Sequence, residues 1–134
     1  MREINSHIKK RITWRWQAEW NAVRENKLRE VKNTVLPFTA TANTKKENVV
    51  LTRIRIGHTQ LTHQYLLNKT DAPNCRWCNE RLTVKHLIVE CPGVENERRS
   101  IGLAANMREA LADDETGINI LIEFLRKLGI FNEI

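Results

Sequence analysis

The chain has 134 residues and a formal net charge of +6, from 22 lysine and arginine residues against 16 acidic ones. This length predicts one domain over residues 1–134, and the mixed charges favour a polyanionic partner only mildly. The three cysteines suit a reduced compartment and a metal ion rather than a disulfide framework. No apolar run could span a membrane and no signal-peptide pattern is present at the start, which predicts an intracellular protein of the nucleus, the cytoplasm or both.

The first predicted element is a long helix over residues 4–23. Its apolar residues recur about every four positions and form a single broad stripe. The stripe consists of Ile4, Ile8, Ile12, Trp16, Trp20 and Val23. We therefore expect this helix to form part of the core and to pack against the last long helix.

Trp14 lies off this stripe, close to Lys10 and Arg11. A base could stack on the indole of a tryptophan in this setting while the two cations meet phosphate groups. Packing against another segment or a neighbouring domain is the alternative for this residue.

Residues 24–43 are predicted to be a linker that wraps the domain. Pro37 and the run of threonine, alanine and asparagine after it interrupt any helix that precedes them. A loose extended arm and a single helical turn both fit the apolar residues before Pro37.

A helix pair over residues 45–68 is predicted from its caps. Thr44 and Glu47 have the spacing of a capping box for the first helix, and Thr59 is in place to cap the second. A strand over residues 49–56 is the alternative, because apolar and polar side chains alternate there.

Two pairs of basic residues lie within the helix pair. Arg53 and Arg55 are about 200° apart on a helix, so they cannot face the same phosphate and one is expected to have an internal partner. His58 and His63 could bind a second metal ion, but no cysteine or carboxylate accompanies them before Asp71. We therefore favour structural hydrogen bonds for both histidines over metal binding or acid–base chemistry.

The segment from Cys75 to Cys91 contains all three cysteines of the chain. A tight turn can direct the sulfurs of Cys75 and Cys78 to one point, and His86 and Cys91 can complete a tetrahedron around it. Thr83 is the predicted N-cap of a short helix that carries His86 in its first turn and ends at Cys91. We predict a structural zinc site, since these four protein ligands leave no open position for water.

The residues around the predicted ligands have several possible roles. Three free cysteines are the alternative to a metal site, whereas a thioredoxin-like redox motif would need a βαβ pattern that the sequence lacks. Trp77 could stack on a base or cover the metal against the first helix. Glu90 could accept a hydrogen bond from the free ring nitrogen of His86. Three cations could offset the negative charge of zinc with three thiolates. They are Arg76, Arg81 and Lys85.

Two stretches of the middle of the chain are distinctive: LTRIRIGHTQLTHQYLL from Leu51, and PNCRWCNERLTVKHLIVECP from Pro73 to Pro92. They resemble the C-terminal segment of the second-open-reading-frame polyproteins of insect-type non-LTR retrotransposons. In that family the segment follows the reverse transcriptase and, where present, the RNase H domain. This chain departs from the full-length pattern in carrying no polymerase or nuclease domain.

The resemblance implies a zinc-knuckle-like element on a helical domain that handles element RNA or target DNA. The resemblance assigns four positions of this chain as zinc ligands and matches seven further positions of the family's motif. The ligands are Cys75, Cys78, His86 and Cys91. The further positions are Arg53, Arg55, Gly57, His58, Leu61, Thr62 and His63.

The C-terminal part, over residues 94–129, is predicted to be helical. Arg98 and Arg99 are expected on a solvated face, and Asn106 is expected to cap the helix before Leu111. Thr116 is the predicted cap of the last helix. This helix carries the second strong apolar stripe of the chain. The stripe consists of Ile118, Leu121, Ile122, Leu125 and Leu128.

Asp113, Asp114 and Glu115 form an acidic turn before the last helix. Carboxylates of this kind could bind the metal ions of a nuclease, but no matching carboxylate and lysine follow at a useful spacing. We therefore predict a module without catalytic activity of its own.

The sequence thus predicts a mainly α-helical domain of about six helices, clamped by one structural zinc site. The predicted function is nucleic-acid binding, to RNA or to single-stranded or target DNA, through phosphate contacts and base stacking. The alternative function is a protein-interaction module that docks on the reverse transcriptase or on a host protein. The candidate nucleic-acid contacts are Lys10, Arg11, Trp14, Arg53, Arg55, Arg76, Trp77, Arg81 and Lys85.

Overall fold

The computed structural model describes the backbone of residues 2–134 and the side chains from Ile4 onward. Over this range the fold is mainly α-helical, as predicted, and contains no β-strand. Its seven α-helices are α1 (Arg2–Ala22), α2 (Lys27–Val31), α3 (Lys45–Ile56), α4 (Gln60–Asn68), α5 (Glu95–Ile101), α6 (Met107–Ala110) and α7 (Glu115–Lys127). A π-helical turn (His86–Glu90) and two 3-10 turns (Pro92–Val94 and Phe131–Glu133) are also present. None of the helices in the described range combines the length and the apolar character that crossing a bilayer requires.

The core is built around α7, which carries the apolar stripe predicted for the last helix. Ile118, Leu121, Ile122 and Leu125 are buried at the spacing that puts them on one helical face. This helix packs against α3, α5 and α6. Further buried apolar residues come from α3 and from the segment between residues 75 and 94. The cysteine-containing segment is therefore part of the core.

The described side chains of α1 lie outside this core, which corrects the expectation that its stripe is core-forming. Ile4 is 66% exposed, Ile8 50% and Trp16 61%. The expected packing of this helix on the last long helix is also wrong, because α7 packs against other elements. The C-terminal half of α1 is tied instead to the segment that follows α2, where Trp20 Nε1 donates to the Lys32 carbonyl oxygen at 3.2 Å.

The predicted linker over residues 24–43 contains a short helix, α2. Its N-cap is Asn26, whose side-chain oxygen accepts from the Leu28 N–H at 2.9 Å. Val31 is buried in the core, and α2 packs against α3 and α6. The segment is therefore partly a structural element rather than an arm that only wraps the domain.

The predicted acidic turn anchors the end of this segment. The Asp113 carboxylate accepts from the backbone N–H groups of Thr39 and Ala40 at 2.9 and 2.8 Å. Burial raises the pKa of Asp113, but these hydrogen bonds outweigh it and hold that pKa below its usual value. Asp113 therefore has a structural role.

The caps of the helix pair are those that the sequence predicts. Thr44 Oγ1 accepts from the Glu47 N–H at 3.1 Å and the Glu47 carboxylate accepts from the Thr44 N–H at 3.0 Å. Thr59 Oγ1 caps α4 by accepting from the Thr62 N–H at 3.1 Å. The strand alternative over residues 49–56 is wrong, since these residues are helical.

The C-terminal helices begin at one predicted cap and one that differs. Asn106 caps α6 by accepting from the Glu109 N–H at 2.9 Å, as predicted. The cap of α7 is Asp114 rather than Thr116, because the Asp114 carboxylate accepts from the Gly117 N–H at 2.7 Å. Thr116 then lies within the first turn of the helix.

Candidate metal centre and candidate nucleic-acid interface

Four side chains converge at one point in the core. The ligand atoms of Cys75, Cys78, His86 and Cys91 all lie within 4.8 Å of one another. The Cys91 sulfur is 3.6 Å from each of the other two, and Cys78 Sγ is 3.1 Å from His86 Nε2. Sulfurs bound at about 2.3 Å to a tetrahedral ion are separated by about 3.8 Å, so the two sulfur–sulfur distances are compatible with a single ion.

The sulfurs are not joined by disulfide bonds. All three cysteines are free thiols, and 3.6 Å is well beyond the S–S bond length of about 2.0 Å. Cys75 and Cys91 are buried, whereas Cys78 is partly exposed. The convergence of these groups is compatible with a metal site.

A tight turn holds the first two cysteines. Asn74 and Arg81 form an antiparallel bridge across it, and the Cys75 N–H donates to the Glu80 carbonyl oxygen at 2.6 Å. Asn79 has a left-handed backbone, with φ of 62°, and its N–H donates to the Cys75 carbonyl oxygen at 2.8 Å. This turn directs both sulfurs toward the interior.

Backbone N–H groups donate to the sulfurs, as expected for thiolates. Burial raises the pKa of Cys75, but hydrogen bonds from Trp77 and Cys78 N–H groups outweigh it and lower that pKa to about 7. For Cys91, burial and the two neighbouring thiols raise the pKa to about 11, against the effect of the Gly93 N–H. Adjacent sulfurs oppose one another's ionisation, so three thiolates here require a cation among them.

The second pair of ligands comes from a short helical segment with one irregularity. Thr83 caps it as predicted, accepting from the His86 N–H at 3.0 Å. The Cys91 N–H donates to the His86 carbonyl oxygen at 2.7 Å, which closes a π-helical turn. This wider turn gives His86 and Cys91 their relative positions at the cluster. Glu90 is exposed and makes no hydrogen bond to His86 among the described contacts, which corrects the proposed role of its carboxylate.

Arg98 is a residue near the cluster that sequence reasoning missed. It was expected on a solvated face, but it is 5% exposed. Its guanidinium donates to the carbonyl oxygens of Cys91 at 2.7 Å and Leu87 at 3.4 Å, and it pairs with Glu95. Arg99 matches the expectation, with a side chain that is 78% exposed. The spacing of Glu95 and Arg98 is a weak signal for this role, because it is common on solvated helices too.

The three cations of the cysteine loop each have a partner within the protein. Arg76 pairs with Glu133 at 2.6 Å and Lys85 pairs with Glu30 at 3.2 Å. Arg81 donates to the Tyr65 hydroxyl at 3.2 Å. All three are exposed, but the two ion pairs reduce the positive charge that this surface offers to a phosphate.

Trp77 is partly buried and packs against the core. The Arg76 guanidinium lies 5.4 Å from the centre of its ring. Gly93 approaches its backbone so closely that an added Cβ would be 2.6 Å from Trp77 Cβ and 2.7 Å from its carbonyl oxygen. This position fits a covering role better than stacking on a base, but Trp77 covers the core without the first helix, since the described side chains of α1 lie outside that packing.

Arg53 and Arg55 both contact the protein itself. Arg55 is 5% exposed, donates to the carbonyl oxygens of Leu111 and Ala112 at 3.3 and 2.8 Å, and lies over the Phe38 ring. This confirms an internal partner for one of the pair and removes Arg55 from the candidate nucleic-acid contacts. Arg53 is exposed, and its guanidinium donates to the Ile134 carbonyl oxygen at 2.7 Å.

His58 and His63 form a stacked pair, with ring centres 3.9 Å apart. Lys27 Nζ lies 3.4 Å from His58 Nε2 and 3.3 Å from His63 Nε2, and His63 Nδ1 is 2.6 Å from Thr62 Oγ1. Burial, then His58, Lys27 and Arg81, lower the pKa of His63. These contacts are structural hydrogen bonds, as favoured from the sequence, and they link α2 to α4.

The candidate contacts on α1 are open to solvent. Trp14 is 75% exposed, and Lys10 and Arg11 are exposed and make no ion pair within the described residues. Lys9, on the same helix, is also exposed and makes no ion pair within the described residues. These cations therefore differ from those of the cysteine loop, two of which are held in ion pairs.

No protein-family model, curated protein or solved structure matches this chain. The similarity to retrotransposon polyproteins therefore stays a prediction. Two features of the molecule bear on its function: a largely buried group of side chains of the types that bind metals, and an exposed helix that carries tryptophan and cations.

Proposed function

We propose that the chain is a zinc-stabilised nucleic-acid-binding module without catalytic activity of its own, related to the C-terminal part of non-LTR retrotransposon polyproteins. The nucleic acids that it binds are RNA or single-stranded DNA. The zinc ion organises the core, and α1 provides the binding surface.

The argument for zinc rests on the chemistry of the donor set. The ligand atoms of three thiols and one imidazole lie within 4.8 Å of one another. Such a donor set is typical of structural zinc sites, whereas calcium and magnesium are bound by oxygen ligands. Four protein donors leave no position for a reacting water, so the ion has a structural rather than a catalytic role. The ligands in this proposal are Cys75, Cys78, His86 and Cys91.

The argument for nucleic acid rests on one observation about α1. Three cations, Lys9, Lys10 and Arg11, are exposed without ion-pair partners in the described part of the chain, beside the 75% exposed Trp14. Cations without ion-pair partners attract phosphate groups, and the counterions of the nucleic acid are then released. An exposed indole offers a flat surface on which a base can stack. Arg53 and the paired cations of the cysteine loop are secondary candidates.

A salt titration tests this function. We expect the affinity for a labelled single strand to fall linearly on a log–log plot, with a slope of about −0.7 for each phosphate contact. The double variant Lys10→Gln/Arg11→Gln should make the slope shallower by about 1.4, since it removes two such contacts. The matched control is Lys45→Gln/Arg108→Gln, which makes the same change in charge at two exposed residues elsewhere. Equal effects of the two double variants would contradict a binding surface on α1.

A protein-interaction module is the second candidate, and the exposed apolar stripe of α1 favours it. Ile4, Ile8, Ile12 and Trp16 are all at least 49% exposed, which is unusual for large apolar residues in a row on one helix. A reverse transcriptase domain or a host protein that covers this stripe would bind with little salt dependence. The absence of any nucleic-acid binding at low salt would favour this candidate.

A further inference from the structure

A groove runs along α1 beside Trp14. It is open, with a volume of about 840 Å³, and its lining includes Trp14, Lys9, Lys10 and Leu36. Ligand clefts typically have volumes of about 300–1,000 Å³. The groove thus combines an aromatic face, an aliphatic wall and two cations.

The segment after α2 is fastened to α1, and this defines the groove. The Gln17 side chain donates to the Asn33 carbonyl oxygen at 2.8 Å and accepts from the Val35 N–H at 3.0 Å. Leu36 follows directly, and its side chain is 59% exposed where the segment leaves the helix. Gln17 therefore positions Leu36 at the same groove as the Trp14 indole.

A second open groove lies on the other side of Trp14. Its volume is about 570 Å³, and its lining includes Arg11, Arg15 and, again, Lys10 and Trp14. Trp14 is thus flanked by cations on both sides, with Lys9 in one groove and Arg11 in the other. A chain that crosses the indole would meet positive charge before and after it.

We propose that Trp14 and the two grooves beside it form a single-strand site, in which one unpaired base stacks on the indole. The phosphates on either side of that base contact Lys9 and Lys10 in one groove and Arg11 in the other, where the neighbouring Arg15 is paired with Glu19 at 3.1 Å. Duplexes are excluded from this mode, because the faces of paired bases are covered by their neighbours. The inference rests on the proposed nucleic-acid function and adds to it the path of the strand across Trp14, from one groove to the other, and the exclusion of duplexes from this mode.

Fluorescence anisotropy with labelled oligonucleotides of about 12 nucleotides tests the site, a length within the range that single-strand sites cover. The probes are an unstructured RNA, the DNA of the same sequence and the corresponding DNA duplex, at about 50 mM salt. We expect Trp14→Ala to weaken binding of both single strands about 5- to 150-fold, which is the effect of losing one base–aromatic stack. Trp14→Phe should retain most of the affinity, and Trp14→Ala should change duplex binding little.

The matched control is Trp16→Ala, which removes an exposed tryptophan of the same helix that lies outside both grooves. We expect it to leave single-strand affinity unchanged. Wild-type binding to single strands that persists in Trp14→Ala would overturn the site but leave the nucleic-acid function standing. An equal loss in Trp16→Ala would also overturn it, because the loss would then reflect the whole helix. A wild-type chain that binds none of the three probes would refute the proposed function itself.

Discussion

At the level of single residues, the candidate metal centre depends on a buried cation that is not a ligand. Arg98 donates to the carbonyl oxygens of Cys91 and Leu87, at the end of the helical segment that carries two of the four donors. Carbonyls at a helix end lack partners within the helix. The buried guanidinium of Arg98 donates the missing hydrogen bonds to these carbonyls. It thereby connects α5 to the segment that carries His86 and Cys91.

Replacing this cation should destabilise the protein. Arg98→Met keeps an unbranched apolar stem but leaves two buried carbonyl oxygens without a donor. The expected cost is about 1–3 kcal/mol in the free energy of unfolding, measured by urea denaturation of the metal-loaded protein. Arg99→Met, at the neighbouring exposed position, should change that free energy by no more than about 0.5 kcal/mol. Equal stabilities for the two variants would show that the Arg98 hydrogen bonds contribute little.

The convergence of the four donor side chains was predictable from the sequence, whereas the role of Arg98 was not. Cys75 and Cys78 are brought together by a local turn, and His86 and Cys91 by a short helical segment, so spacing alone constrains them. The hydrogen bonds of Arg98 depend on how α5 packs against that segment. A Glu–Arg pair three residues apart has the same spacing on a buried helix as on an exposed one.

At the level of the elements, caps were easier to predict than burial. The capping box of α3 and the cap of α4 involve residues three apart, so their hydrogen bonds form within one turn of chain. The apolar stripe of α1 identifies a face of the helix but not what covers it, and in this structure it is exposed. For α2 the sequence left a helical turn and an extended arm as alternatives, because five residues give too few positions to reveal a period.

The link between α2 and α4 should make stability depend on pH. Burial and the nearby His58, Lys27 and Arg81 lower the pKa of His63 in the folded protein. The unfolded chain therefore takes up the proton first, and stability is lost as the pH falls below the ordinary histidine value of about 6.5. We expect the urea midpoint to drop between about pH 7.5 and about pH 5.5.

Other groups also titrate in this range, so the contribution of His63 needs a reference variant. His63→Gln keeps a polar side chain that does not titrate, and its urea midpoint should fall less over the same pH range. Protonation of the proposed zinc ligands would lower the stability of the wild type and of His63→Gln by the same amount. Parallel pH profiles for the wild type and His63→Gln would exclude this histidine as a source of the dependence.

At the level of the whole molecule, the cysteine cluster and the apolar core are one structure. Cys75 and Cys91 are buried together with Leu87, Ile88 and Val94, and this group belongs to the same cluster of buried residues as α3 and α7. By contrast, the described side chains of α1 lie outside that cluster. The ion that we propose would therefore stabilise the body of the protein, while α1 would not depend on it directly.

Removing the metal should unfold the body cooperatively. Elemental analysis of the purified protein is expected to find stoichiometric zinc, and a chelator should abolish most of the helical circular dichroism signal. Structural zinc contributes roughly 10–16 kcal/mol of apparent binding free energy, against a usual net stability of about 5–15 kcal/mol.

Hydrogen exchange should show which helices depend on the ion. Amide protection in α3 and α7 should be lost on chelation. Because the stripe of α1 is exposed, this helix should exchange rapidly with or without zinc. Protection in α7 that survives chelation, or a Cys78→Ser variant that keeps the full unfolding free energy, would mean that the core forms without the ion.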